Sequence, residues 1–143
     1  KGPVYAPKSV EFLEALPLWL DLPEHDLRIV HAGLVPGRRF EDQDEWTLTH
    51  VRSIDRDGRP SDKSDYEPWA AAYGAGPHVV FGHNSRLGLQ LHPNATGIDT
   101  GCVYGGRLTA LVLAEGQKMP VAAEERRRLL RSVQATAAHY AGR

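Results

Sequence analysis

Arg28-Ile-Val-His-Ala-Gly-Leu-Val-Pro-Gly37 is the stretch on which the fold turns. Leu27, Ile29 and Val30 make a short apolar, largely β-branched run, and a histidine, a glycine and a Pro-Gly pair follow directly. That order predicts a buried strand that stops abruptly and delivers His31 at its tip. A rigid strand ending in a loop is where metal and phosphate chemistry is commonly placed. The arrangement recurs at His78-Val-Val-Phe-Gly-His-Asn84, where a second apolar strand runs into Gly-His. Two strand-end histidines, each with a glycine nearby, are what the rest of the chain must account for.

Working outward, 143 residues with 41% hydrophobic and 24% charged side chains suit one soluble globular domain with a real core. A formal net charge of −1 gives no general reason to expect nucleic-acid or membrane binding. The lone Cys102 excludes an intrachain disulfide framework and fits a reducing, cytoplasmic compartment. No apolar run approaches the roughly 20 residues that cross a bilayer. Lys1-Gly-Pro-Val-Tyr5 carries neither an initiator Met nor a signal-like segment, so the chain reads as the middle of a longer polypeptide.

Residues 1–8 are expected to be a connector, followed by a short helix that Ser9 caps and Pro17 ends. Leu18–Leu22 and Leu27–Val30 are predicted strands, forming a hairpin across Pro23-Glu-His-Asp26. Trp46–Ile54 is either a short helix or a strand. Asp55–Asp65 reads as a polar loop, and Glu67–Tyr73 as a helix with Pro68 in its first turn. After the strand Val79–Phe81, short strands are expected at Leu87–Leu91, Gly97–Asp99 and Arg107–Leu113, with turns at Pro93-Asn94 and Gly105-Gly106. Ala122–Ala141 is predicted to close the chain as a helix, with Leu129, Leu130, Val133 and Ala137 on one side. The class is α/β or α+β.

Neutral imidazole is a good ligand for Zn, Mn or Fe, and a strand end fixes its direction. Two histidines do not complete a catalytic metal site, since three or more protein ligands are the norm. His25, His50, His78, His92 and His139 lie in polar or helical contexts and read as surface residues. There is no nucleophile elbow, phosphate-binding glycine loop or zinc-knuckle pattern.

Four blocks together carry a resemblance. They are His31-Ala-Gly-Leu-Val-Pro36, Val51-Arg-Ser53, Val80-Phe-Gly-His83, and Ile98-Asp-Thr-Gly-Cys-Val-Tyr-Gly-Gly-Arg-Leu-Thr-Ala-Leu111. From about Ser9 to Leu113 the chain resembles the C-terminal half of a calcineurin-like metallophosphoesterase, most closely an ApaH-like phosphatase. The resemblance implies an α/β fold: half of a β-sandwich flanked by helices in αββα layers. It also implies two divalent metal ions (manganese, zinc or iron) at the sheet ends, and attack of a metal-bound hydroxide on phosphorus. On the matching positions, His31 and His83 would be ligands of one metal, and their rings should converge. Arg52 would grip phosphate, a task suited to a planar, permanently charged fork. Tyr104 would lie near the leaving group, or else pack beneath Gly105-Gly106. Cys102 is expected in the core.

The chain departs from the pattern in two places. Asn84 stands where relatives often carry Asp or Thr, which changes the support of His83. The motifs Asp-x-His, Gly-Asp-x-x-Asp-Arg and Gly-Asn-His-Glu are absent, and with them the bridging carboxylate and the proposed general acid, so no catalytic residue is assigned here. The implied function is a metal-dependent phosphatase completed by a missing N-terminal half. Its implied substrates are dinucleoside polyphosphates, polyphosphate or capped RNA, with loops 38–44 and 56–65 tuning the choice. A serine/threonine phosphatase acting on phosphoproteins is one alternative, and a truncated, non-catalytic binding module is another.

Overall fold

The computed structural model describes residues 7–140. The first six residues of the expected connector lie outside that range, and Pro7 and Lys8 already belong to α1 (Pro7–Glu14). Ser9 therefore sits inside this helix instead of capping it.

The body is a mixed five-stranded sheet in the order β1 (Trp19–Leu22), β2 (Leu27–Val30), β6 (His78–Phe81), β8 (Ala95–Gly97), β7 (Gln90–Leu91). The hairpin of β1 and β2 is antiparallel, with Leu22 opposite Leu27 and Asp21 opposite Arg28. Asp21 and Arg28 close a two-pronged ion pair, and the Arg28 guanidinium lies 3.8 Å over the Phe40 ring. Strands β2 and β6 run parallel with Ile29 beside Val80, so their carboxyl ends emerge together.

All four residues of β6 are buried, as expected of a central strand covered on both faces. Val79 and Phe81 face a core with Val30, Leu34, Leu48, Val51 and Trp69, whereas Val80 joins Leu27 and Met119 on the other side. Trp69 is the keystone of the first core. Its indole packs edge-on to Phe81 at 4.8 Å and donates to the Ala32 carbonyl at 3.1 Å. Truncating such a buried Trp to Ala typically costs about 3–5 kcal/mol.

Trp46–Ile54 contains both of the structures its sequence allowed. Helix α2 (Glu45–His50) is capped by Asp44, whose carboxylate accepts from the Thr47 amide at 2.8 Å, and β3 (Ser53–Ile54) follows. Strand β3 is the centre of a small sheet, between β4 (Pro60–Ser61) and β5 (Glu67–Pro68). The polar segment 55–65 thus contains a strand, and only Trp69–Ala72 of the expected helix is helical (α3), with Pro68 just before it.

The C-terminal helix is the main correction. Helix α4 spans only Ala123–Arg128, after which Leu130–Gln134 forms β10, paired antiparallel with β9 (Arg107–Leu111). Leu130 and Val133 suit one face of a helix, but a five-residue ladder pairs the edge of β9 that a helix would leave open. Ala141 lies outside the described residues. Among the described residues, no helix is long and apolar enough to cross a membrane.

Candidate metal and phosphate site

Parallel pairing of β2 and β6 puts His31 next to Gly82, and the Gly82 amide donates to the His31 carbonyl at 2.9 Å. The ring centroids of His31 and His83 stand 5.2 Å apart. The structure thus brings together two imidazoles separated by 52 positions in sequence, at the carboxyl ends of neighbouring strands.

Each histidine is held by its backbone. Beyond His31, the Ala32 amide donates to Leu48 while its carbonyl accepts from Trp69. A Cβ on Gly33 would come within 2.1 Å of the Trp69 indole nitrogen. This glycine makes room for a core side chain, not for a ligand. A Cβ on Gly82, by contrast, would meet only ordinary contacts at 3.6 Å and beyond. His83 has φ +66°, and the Asn84 amide bonds back to the Gly82 carbonyl at 2.8 Å. That is the rare γ-turn with positive φ at its centre, a conformation costing on the order of 1–3 kcal/mol, and strain of this kind collects at functional sites. Asn84 is buried behind His83, 3.5 Å from the Ser64 hydroxyl.

Burial lowers the pKa of His83, helped by the positive charges of Arg52, His31 and His50, while a hydrogen bond to the His50 backbone pulls the other way. A neutral ring with one nitrogen engaged by backbone is the form in which histidine ligates metal. Two imidazoles converging from neighbouring strand ends fit one side of a divalent metal site. Among the described residues, no group of three or more His, Cys, Asp or Glu side chains could hold a metal by itself.

Arg52 arrives from the small sheet. Val51 and Ser53 are buried, and alternation turns the residue between them the other way. Its backbone is pinned on both sides, by Ser61 and Trp69. Its Nη1 donates to the Asp62 carbonyl at 3.1 Å, while its Nε is shielded from solvent without a hydrogen-bond partner among the described residues. Arg52 lines a cavity of about 100 Å³ with His83, Asn84, Ser85, Arg86 and Tyr104. Tyr104 sits on the turn that Gly101–Gly106 makes, its ring edge-on to Tyr140 at 5.8 Å. In that turn a Cβ on Gly106 would collide with the Thr100 carbonyl at 2.2 Å. Cys102, on the same turn, is half-buried and belongs to neither core cluster.

Sequence reasoning missed His50. Its ring stacks on Trp46 at 5.6 Å and stands 6.2 Å from the His83 ring. The available signal was the i, i+4 spacing from Trp46 on a short helix, two residues before Arg52. The surface assignment holds for His50 and His139, which are exposed, and fails for the other three. His78 is buried on the Thr96 hydroxyl at 2.9 Å, His92 is half-buried, and His25, half-buried, bonds to the Gln117 carbonyl at 2.7 Å.

Imidazoles and a guanidinium gathered where parallel strands end have the chemistry to take a metal ion and a phosphate. The chain is 32% identical over 120 residues to the bis(5'-nucleosyl)-tetraphosphatase PrpE (asymmetrical) of Oceanobacillus iheyensis, covering 82% of this chain and 48% of that protein. It is 41% identical over 80 residues to the symmetrical bis(5'-nucleosyl)-tetraphosphatase of Janthinobacterium sp., covering 48% of this chain and 29% of the relative. A crystal structure of a protein provisionally assigned as a diadenosine tetraphosphatase superimposes with a TM-score of 0.76 at 32% identity, over 92% of this chain and 56% of the other. No protein-family model matches. The chain belongs to the ApaH-like metallophosphoesterases and has their mixed α/β fold. It spans about half the length, or less, of the curated relatives it matches.

Proposed function

We propose that this chain is the phosphate-gripping half of a metal-dependent hydrolase that cleaves phosphoanhydride bonds in dinucleoside polyphosphates, acting in the cytoplasm. The observation that carries the reading is the convergence of His31 and His83 beside the cavity that Arg52 and Tyr104 line. Relatives named as bis(5'-nucleosyl)-tetraphosphatases support the substrate class, and their name makes them hydrolases.

In this reading His31 and His83 hold one of two divalent ions (manganese, zinc or iron), and the rest of the domain supplies the other ligands. A bound metal would supply Lewis acidity toward phosphate oxygens. The chain's own residues do the positioning. Arg52 offers a fork, pre-set by its Asp62 contact, to two oxygens of the phosphate, where preorganised charge is worth most as negative charge shifts in the transition state. Tyr104 borders the same cavity, and in this reading it lies near the leaving group. The strained turn at His83 holds the imidazole in place before substrate arrives.

The sheet face beside the histidines supports the half-site reading. At one end it is covered by Met119, but toward the strand tips Leu18, Leu20 and Ile29 are exposed. With Leu16, Val80 and Ile98 they line an open trough of about 760 Å³ that has His31 and His83 at its rim. We assign this apolar surface to the remainder of the same domain, because the matched structure is nearly twice as long as the aligned region. The test is hydrolysis of diadenosine tetraphosphate with added Mn²⁺, by the full-length protein and by residues 1–143 alone. The full-length protein should turn over and the shorter chain should not. Robust turnover by residues 1–143 would refute the half-site argument, and an inert full-length protein would refute the hydrolase itself.

A further inference from the structure

The cavity around Arg52 holds a second guanidinium that no motif accounts for. Arg86 follows β6 on a single 3-10 turn, Ser85–Leu87, and lines the cavity from a different element than Arg52, which directly precedes β3 of the small sheet. Both arginines line the same hollow, and no carboxylate lines it with them. Two like charges facing one small space repel each other, a cost that a bound anion would remove.

Among the described residues, Arg38, Arg39, Arg59 and Arg127 each find a carboxylate within 4.0 Å, whereas Arg86, like the exposed Arg56 and Arg128, does not. What sets Arg86 apart is the cavity it shares with Arg52. The Arg86 side chain has no hydrogen bond or ion pair among the described residues, and in Arg52 the Nε is likewise unpartnered. The two differ in depth, Arg52 being half-buried and Arg86 exposed.

The cavity, about 100 Å³, has room for a phosphoryl group. A second phosphate bonded to one held by Arg52 would lie toward solvent, on the side of the more exposed arginine.

We propose that Arg86 is a second phosphate arm that takes the phosphate adjoining the one held by Arg52, so that the site selects two or more consecutive phosphates over a single one. The proposal deepens the hydrolase reading and rests on it for the role of Arg52. It assigns specificity for phosphate chains to a residue outside the four recognisable blocks. A guanidinium at the mouth suits the task because it pairs with two oxygens at once and stays charged at every relevant pH.

The test uses the full-length protein with its metals, and calorimetric titration of inorganic phosphate, pyrophosphate and tripolyphosphate. Arg86→Gln should weaken pyrophosphate and tripolyphosphate roughly ten- to a hundredfold, the range for charge-assisted hydrogen bonds, and phosphate less than about twofold. Arg86→Lys should recover part of the loss, and in turnover of tripolyphosphate the change should fall mainly on KM. Equal weakening of phosphate and pyrophosphate would overturn the proposal, since Arg86 would then share the phosphate of Arg52. No weakening of any of them would make Arg86 a solvated surface residue and overturn it as well. Binding and turnover separate the two readings. A protein that discriminates pyrophosphate through Arg86 yet hydrolyses nothing ends the hydrolase reading and supports the two-phosphate site.

Discussion

Arg52 and Arg126 are the same residue type, and in both the Nε is shielded from solvent without a partner among the described residues. They are put to opposite uses. Arg126 is fully buried, and its two terminal nitrogens donate to four backbone carbonyls, those of His92, Pro93, Pro120 and Val121. It ties α4 to the β7–β8 turn and the loop before α4, and burial lowers its pKa. Among the described residues Arg52 makes one side-chain hydrogen bond, to a loop carbonyl, and borders a cavity that His83 also lines. A guanidinium whose donors are used up by carbonyls is a structural clamp. One whose donors stay in reserve next to a polar hollow is available to a ligand. Saturation by backbone, more than burial or charge, separates the two.

The largest effect expected from this contrast is on stability. Arg126→Ala in the full-length protein should lower the unfolding free energy by about 3–4 kcal/mol, because a fully buried side chain is lost and four backbone carbonyls lose a charged donor at once. Urea denaturation measures it, and a loss under about 1 kcal/mol would break the clamp reading. Arg52→Ala should do the reverse. Its melting temperature should stay near wild type, while kcat/KM falls thirty- to a thousandfold, about 2–4 kcal/mol of transition-state stabilisation. Arg52→Lys should recover only part, and His83→Ala should lose metal as well as activity. Wild-type turnover by Arg52→Ala on several phosphorylated substrates would make Arg52 a structural residue like Arg126.

The smallest effect sharpens the comparison through pH. His78 is buried, and burial together with the nearby Arg126 charge pushes its pKa down to about 4 from 6.5. The folded protein thus resists a proton that the unfolded chain accepts. Its contribution is complete above pH 6.5 and is lost as pH falls toward 4, a change of about 2–3 kcal/mol at most. His92, lowered by the same two causes, adds to the slope. His78→Gln should flatten the fall of melting temperature between pH 6.5 and 4. An unchanged slope would mean that the Arg126 end of the molecule carries no such penalty.

Much of the site end was legible in the order of residues. Apolar runs broken by His-Ala-Gly and Gly-His predicted two strands that stop abruptly, and β2 and β6 do so. The β1–β2 hairpin was legible as well, because two apolar segments flank a four-residue polar connection. Trp46–Ile54 stayed ambiguous because its apolar spacing suits both periods, and it holds a helix and a strand in succession. His50 was illegible as a neighbour of His83, since nothing local says that the end of α2 reaches the end of β6.

The sequence by itself determined where the central strands end, and so which two histidines stand at their tips, whereas Arg52 is picked out only by the resemblance. Strand ends are set by local properties of period, chain breakers and residue chemistry. Only the tertiary structure decided how close the two imidazoles stand, which guanidinium is saturated and which is not, and that Leu130–Gln134 is a strand. Each of these depends on partners dozens of residues away. A strand pairs, and a buried cation is satisfied, only through backbone groups that folding brings to it, and no local pattern names those groups.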